Sequence, residues 1–129
     1  MIGTQVPKTE LLNRTQRTFP NTAYTAYTYN ARNLLTTLEN RNQSGALISS
    51  YAYGHDNVGN RTSMTEANGD VTAYGYDAIY RLVSEEKRDN QQQTIYTYAY
   101  SYDGVGNRES MTHDGGQTSY FYDDNNKLE

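Results

Sequence analysis

Three kinds of residue in this chain could do chemistry, and all recur. His55 stands beside Asp56 and His113 beside Asp114, neighbours of the kind used in metal sites. Arg61 and Arg108 each close a Val-Gly-Asn-Arg block, where a guanidinium could hold an anion or stack on an aromatic ring. Tyr96, Tyr98, Tyr100 and Tyr102 in "TIYTYAYSY" offer a row of rings on which a sugar could stack. The run Asp123-Asp124-Asn125-Asn126 offers oxygen ligands to calcium.

Each has a plainer reading. His55 fills the slot that Tyr102 takes in a second copy of the same stretch, so it reads as a strand residue, and His113 falls in a connector. Neither has a partner at metal-ligand spacing. No D-x-[DN]-x-[DN]-G loop occurs, and Asx-turn chemistry explains the Asp/Asn clusters. Arg61 and Arg108 recur with the repeat, which points to structure and to stacking on Tyr across a hairpin. No G-x-S-x-G is present. The expectation is a non-enzyme with no cofactor and no metal.

The elements that carry these residues repeat. "HDNVGNRTSMT" from His55 to Thr65 returns as "YDGVGNRESMT" from Tyr102 to Thr112. Asn13-Arg14, Asn60-Arg61 and Asn107-Arg108 are spaced by 47 and 47. "YTYNARNLL" at Tyr27, "YGYDAIYRL" at Tyr74 and "YFYDDNNKL" at Tyr120 follow at 47 and 46. Each unit divides again, with Asn30, Asp56, Asp77, Asp103 and Asp123 at intervals of 26, 21, 26 and 20. A period of this length means a repeat array.

Within each quantum Tyr recurs at i, i+2, which puts the rings on one face of a strand. Then comes D-x-x-G: Asp starts a turn by accepting from a backbone N–H two residues on, and Gly59 or Gly106 supplies φ > 0. A second strand follows, and a second turn leads back ("NQSG", "ANGD", "RDNQQQ", "HDGGQ"). The reading is about ten antiparallel strands of six to ten residues, with tight turns on one edge and variable turns on the other. "NLLTTLE" is the weakest stretch, and its place in the repeat makes it a strand. The chain divides into an N-terminal tail over residues 1–10 and a repeat array over residues 11–129.

Composition sets the core. Leu, Ile, Val and Phe number 19 of 129 residues, a fraction typical of disorder, but net charge is only −4 and there are 14 Tyr. Tyr is expected to replace the aliphatic core, each buried ring contributing about 150–250 Å². Eleven Lys+Arg against 15 Asp+Glu argue against nucleic acid. No run of 18 apolar residues spans a membrane, and "MIGTQVPKTE" has no signal-peptide core. Cys is absent, so compartment is not legible from redox usage.

The recurring Tyr-x-Tyr-Asp-x-x-Gly-Asn-Arg resembles the YD repeats of RHS-type proteins, a family of bacterial polymorphic toxins, toxin-complex shell components and teneurins. The motif residues are Tyr51, Tyr53, Asp56, Gly59, Asn60 and Arg61, then Tyr100, Tyr102, Asp103, Gly106, Asn107 and Arg108. Partial copies hold Tyr74, Tyr76 and Asp77, and Tyr120, Tyr122 and Asp123, with Tyr80 and Asn126 where the motif wants Gly. The resemblance implies an all-β fold, a curved antiparallel meander of consecutive hairpins, as an open fragment of a spiralling shell sheet. It implies a structural scaffold that encloses or presents a toxin or effector. A carbohydrate- or protein-binding cell-surface module using exposed Tyr is the alternative. Implied partners are neighbouring YD repeats or a C-terminal effector. The parent would be secreted or at the cell surface. About five repeats are too few to close a shell, and cut edges would pair two copies into a homo-oligomer.

Overall fold

The computed structural model describes residues 13–125, 127 and 128; the tail at 1–10, Leu11, Leu12, Asn126 and Glu129 lie outside them. Ten strands follow in order: β1 (Gln16–Thr18), β2 (Tyr24–Tyr29), β3 (Leu35–Arg41), β4 (Leu47–His55), β5 (Arg61–Glu66), β6 (Val71–Tyr76), β7 (Leu82–Arg88), β8 (Thr94–Tyr102), β9 (Arg108–His113) and β10 (Gly116–Ser119). They form one antiparallel meander in which each strand pairs only with its sequence neighbours. The all-β expectation holds, "NLLTTLE" falls largely in β3, and no helix occurs among the described residues. β1 and β10, at the ends, are shorter than expected, with three and four residues.

The turns are more uniform than the sequence suggested. Eight of the nine connections share one backbone plan: the first residue's N–H donates to the fifth residue's carbonyl, and the fourth residue's N–H donates back to the first's carbonyl. The fourth residue has positive φ in all eight. Gly45, Gly59, Gly69 and Gly106 hold it at 85° to 98°, and Thr22, Asn33, Tyr80 and Gln92 at 60° to 67°. This corrects the expectation of variable turns on one edge. The exception is the two-residue loop after His113, where Asp114 and Gly115 take φ of 47° and 88°, the primed hairpin geometry. Six of the eight shared-plan hairpins also carry a register shift beside the turn, so one residue of the following strand (Ile48 in β4, Thr62 in β5, Ile95 in β8) opposes no partner.

Alternation sorts the side chains by size. One face carries Tyr27–Leu38–Tyr51–Glu66, Tyr53–Met64–Thr72–Lys87–Tyr96 and Tyr74–Glu85–Tyr98–His113 as rows across the sheet. The other carries mainly small residues, as in Gly75–Ser84–Ala99–Thr112 and Ser101–Ser110–Ser119. The sheet is a single layer. Among the described residues no apolar side chain is buried; only Thr25 and Thr72 are, at 5% and 1% exposure. The Tyr core expected from composition is therefore absent. The rings are half-buried against one another, because among the described residues no second layer of strands or helices packs on their face.

Candidate functional site

The Asx residues that open turns each stand directly after a strand: Asn30, Asp56, Asp77 and Asp103 after the Tyr-bearing β2, β4, β6 and β8, and Asn42 and Asp89 after β3 and β7. Asp56 Oδ1 accepts from the N–H groups of Val58 and Asn60 at 3.1 and 2.8 Å. Asp77 does the same with Ile79 and Arg81, Asp103 with Val105 and Asn107, and Asp123 with Asn125 and Lys127. Asn30, Asn42 and Asp89 repeat the pattern. The second carboxylate oxygen is then held by whatever follows the turn. Asn60 Nδ2 donates to Asp56 at 3.0 Å, and Arg81 Nε donates to Asp77 at 2.7 Å.

These bonds set the acidity of the turns. Partial desolvation pushes the Asp56 and Asp103 carboxyls up, but the bonds from Asn60 and Asn107 and from the turn amides outweigh it and hold both below the usual value of 3.8. At Asp77 the backbone N–H of Arg81 is the largest influence, and that carboxyl is lowered too.

The motif arginines reach back over the Tyr face. The Arg61 guanidinium lies 3.9 Å from the Tyr53 ring centroid, and Arg108 lies 4.8 Å from Tyr100 and 6.0 Å from Tyr120. Arg81 sits 4.6 Å over Tyr102. Hydroxyls at the strand ends are spent on backbone: Tyr29 donates to the Arg14 carbonyl at 2.9 Å, Tyr76 to Arg61 at 2.7 Å and Tyr102 to Leu82 at 2.6 Å. Tyr122 pairs in a lone bridge with Leu128, the same pairing that Tyr29 makes with Leu35 and Tyr76 with Leu82. The motif positions thus build joints between neighbouring hairpins.

A further cluster on the same face lies outside the repeated motif. Glu85 lies between Tyr74 and Tyr98 in register and accepts from the Tyr96 hydroxyl at 2.8 Å. Desolvation, helped by that bond to Glu85, pushes the Tyr96 phenol up to about 12. Burial and the Glu85 charge raise Tyr74 and Tyr100 as well. Beside them Lys87 bonds Glu66 at 2.7 Å and lies 3.7 Å from Asp70. The period-2 pattern of "LVSEEKR" already put Glu85 and Lys87 on one face. His55 is a strand residue as expected. His113 is not in a connector: it ends β9, stacks on Tyr98 at 4.3 Å between centroids and lies 3.1 Å from Asp114. No group of three or more His, Cys, Asp or Glu able to hold a metal occurs among the described residues.

One segment of this hairpin array, residues 55–92, matches the family model described as RHS Repeat. The chain carries an RHS repeat. That matched segment contains β5, β6 and β7 with the turns at 56–60, 66–70 and 77–81. No curated protein is matched by the sequence. Among solved structures, TcdB2-TccC3 without its hypervariable C-terminal region is similar over 98% of this chain and 7% of that chain, at 19% identity and a TM-score of 0.58. The Photorhabdus luminescens Tc holotoxin pore is similar over 82% of this chain and 6% of that one, at 20% identity and a TM-score of 0.57. TcdB2-TccC3-Cdc42 gives the same 82%, 20% and 0.57, with 7% of its chain covered. This chain spans under a tenth of the length of these chains, and what it shares with them is the fold.

Proposed function

We propose that the chain is a wall segment of an RHS-type shell, a structural module that helps to enclose or present a toxin or other effector of its parent protein. The observation that carries this reading is the single layer. Ten strands run in order, each held by its neighbours, with no apolar core among the described residues. Such a sheet gains stability by lengthening, because every added hairpin satisfies an open strand edge. The likeness to TcdB2-TccC3 supports it.

The partners in this reading are flanking repeats along β1 and β10 and a C-terminal effector. The parent acts as a secreted or cell-surface protein. Sugar binding by the Tyr face is the weaker reading, because Arg61, Arg81 and Arg108 already lie over rings on that side.

Trypsin treatment of the full parent protein tests the proposal. The expected result is a non-repeat C-terminal domain that resists digestion while the wall is folded and is cut once the wall is unfolded. Digestion of that domain at the same rate in both states, or a parent without further repeats, would overturn the shell reading.

A further inference from the structure

Asn68-Gly69 is the one Asn-Gly dipeptide in the sequence, and every other asparagine precedes a residue with a side chain. Glycine carries no Cβ beside its own nitrogen, so that nitrogen is the least hindered nucleophile for the amide of the asparagine before it. Asn68 is exposed at the third position of the turn at 66–70.

That turn is fastened differently from most of the others. Six of the eight shared-plan turns open on Asn or Asp, whose side-chain oxygen holds the third and fifth N–H groups. This one opens on Glu66, whose carboxylate bonds Lys87 at 2.7 Å instead. The Gly69 N–H donates to the Glu66 carbonyl at 2.9 Å, and Asn68 Oδ1 accepts from the Asp70 N–H at 3.0 Å. From the neighbouring turn at 89–93, Asn90 Nδ2 donates to the Asn68 main-chain carbonyl at 3.0 Å. Asn90 also crowds the glycine: a Cβ placed on Gly69 would come 3.0 Å from the Asn90 Cβ. Both groups that could react are therefore engaged while the turn is closed. Attack by the Gly69 nitrogen requires the loss of the proton that it shares with Glu66, and the Asn68 amide must leave the Asp70 N–H. A hairpin tip opens more readily than the whole sheet unfolds, so the state that frees both is a local one.

We propose that Asn68 is a site of spontaneous deamidation whose rate is set by opening of this turn, with Asn90 as the clamp that keeps it closed. In the open turn the Gly69 nitrogen gives its proton to solvent and attacks Asn68 Cγ. The N–Cγ bond forms, the Cγ–Nδ2 bond breaks, and Nδ2 leaves as ammonia after taking a proton from solvent. Water then opens the cyclic imide at either carbonyl. Cleavage of the new N–Cγ bond leaves aspartate at position 68. Cleavage of the original bond from the nitrogen to the main-chain carbonyl carbon leaves isoaspartate, with the chain running through Cγ. The net change consumes water and releases ammonia. It needs no oxidant, no flanking repeat and no effector. Isoaspartate lengthens the main chain of a five-residue turn by one carbon, and either product adds a carboxylate between Glu66 and Asp70.

Peptide mapping by mass spectrometry tests this, with the full chain incubated at one neutral pH and one temperature, folded or in guanidinium chloride. Asn90→Ala removes the clamp without touching the reacting atoms, and circular dichroism checks that it keeps the sheet. Conversion at position 68 to a mixture of aspartate and isoaspartate is expected, slower in the folded parent than in the denatured chain by about tenfold or more. Folded Asn90→Ala should convert faster than the folded parent, and the two denatured chains at the same rate. Equal rates in the folded and denatured parent, no conversion at position 68 in the denatured chain, or a folded Asn90→Ala no faster than the parent would each overturn the proposal. Should Asn90→Ala lose its strand signal, Asn90→Ser takes its place, with the same outcomes deciding it.

Discussion

Arg61 lies with its guanidinium carbon 3.9 Å from the centre of the Tyr53 ring, and Arg108 repeats the relationship with Tyr100 at 4.8 Å. The Arg61 carbonyl also accepts the Tyr76 hydroxyl, so one residue joins β4, β5 and β6. Arg61→Ala is expected to destabilise by about 0.5–1 kcal/mol, the range for an exposed cation–π contact. Arg61→Lys should cost less than the Ala change, keeping charge while losing the planar stack. Chemical denaturation of both variants checks the order, and an Ala variant as stable as the parent would remove the joint from the account.

Gly106 and Tyr80 occupy the same turn position with φ of 93° and 66°. A Cβ at Gly106 meets no atom within 4 Å, so a substitution there acts through the backbone alone. Gly106→Val should cost about 1–3 kcal/mol, a β-branched residue being poorly suited to φ > 0. Tyr80→Gly should change stability the other way, by up to about 1 kcal/mol, as the left-handed strain is relieved. Thermal melts of the two variants should move in opposite directions.

Acid should loosen the turns. Asp56, Asp77 and Asp103 are held below 3.8 in the folded chain. Their stabilisation is therefore complete above the unfolded value and is lost as pH falls from about 3.8 through the lower folded values. Asn30 and Asn42 make the same two amide bonds without titrating. Asp56→Asn/Asp103→Asn should keep the fold at neutral pH and flatten the fall in melting temperature between pH 4 and pH 2. An unchanged acid slope would place the sensitivity elsewhere.

Base should report on the Tyr face. The Tyr96 phenol is raised to about 12 by desolvation and by its bond to Glu85. A group raised in the fold stabilises below its unfolded value of 10.0 and loses that contribution as pH rises toward 12. Ultraviolet titration of tyrosinate should show a late-ionising component that disappears in Tyr96→Phe and moves earlier in Glu85→Gln. A single early titration in all three proteins would exclude the coupling.

The 47-residue period and the placing of strands and turns followed from residue type alone, because they rest on short-range chemistry. An Asx oxygen reaches amides two and four residues on, and alternation fixes which side chains share a face. Stacking of Arg61 and Arg108 on Tyr was legible for the same reason, since hairpin register brings near neighbours together.

Other features belonged to the tertiary structure. Gln92 and Thr22 take positive φ where no glycine marks the turn, because hairpin pairing on both sides imposes the geometry over their own preference. His113 joined β9 for the same reason, drawn into the ladder opposite Tyr98. The absence of a core lay furthest from the sequence. Alternation divides a strand's residues between two faces, but it carries no information on what covers either face. Only the folded sheet decided that, among the described residues, the Tyr face meets no second layer and the large exposed apolar residues gather mostly at its rims.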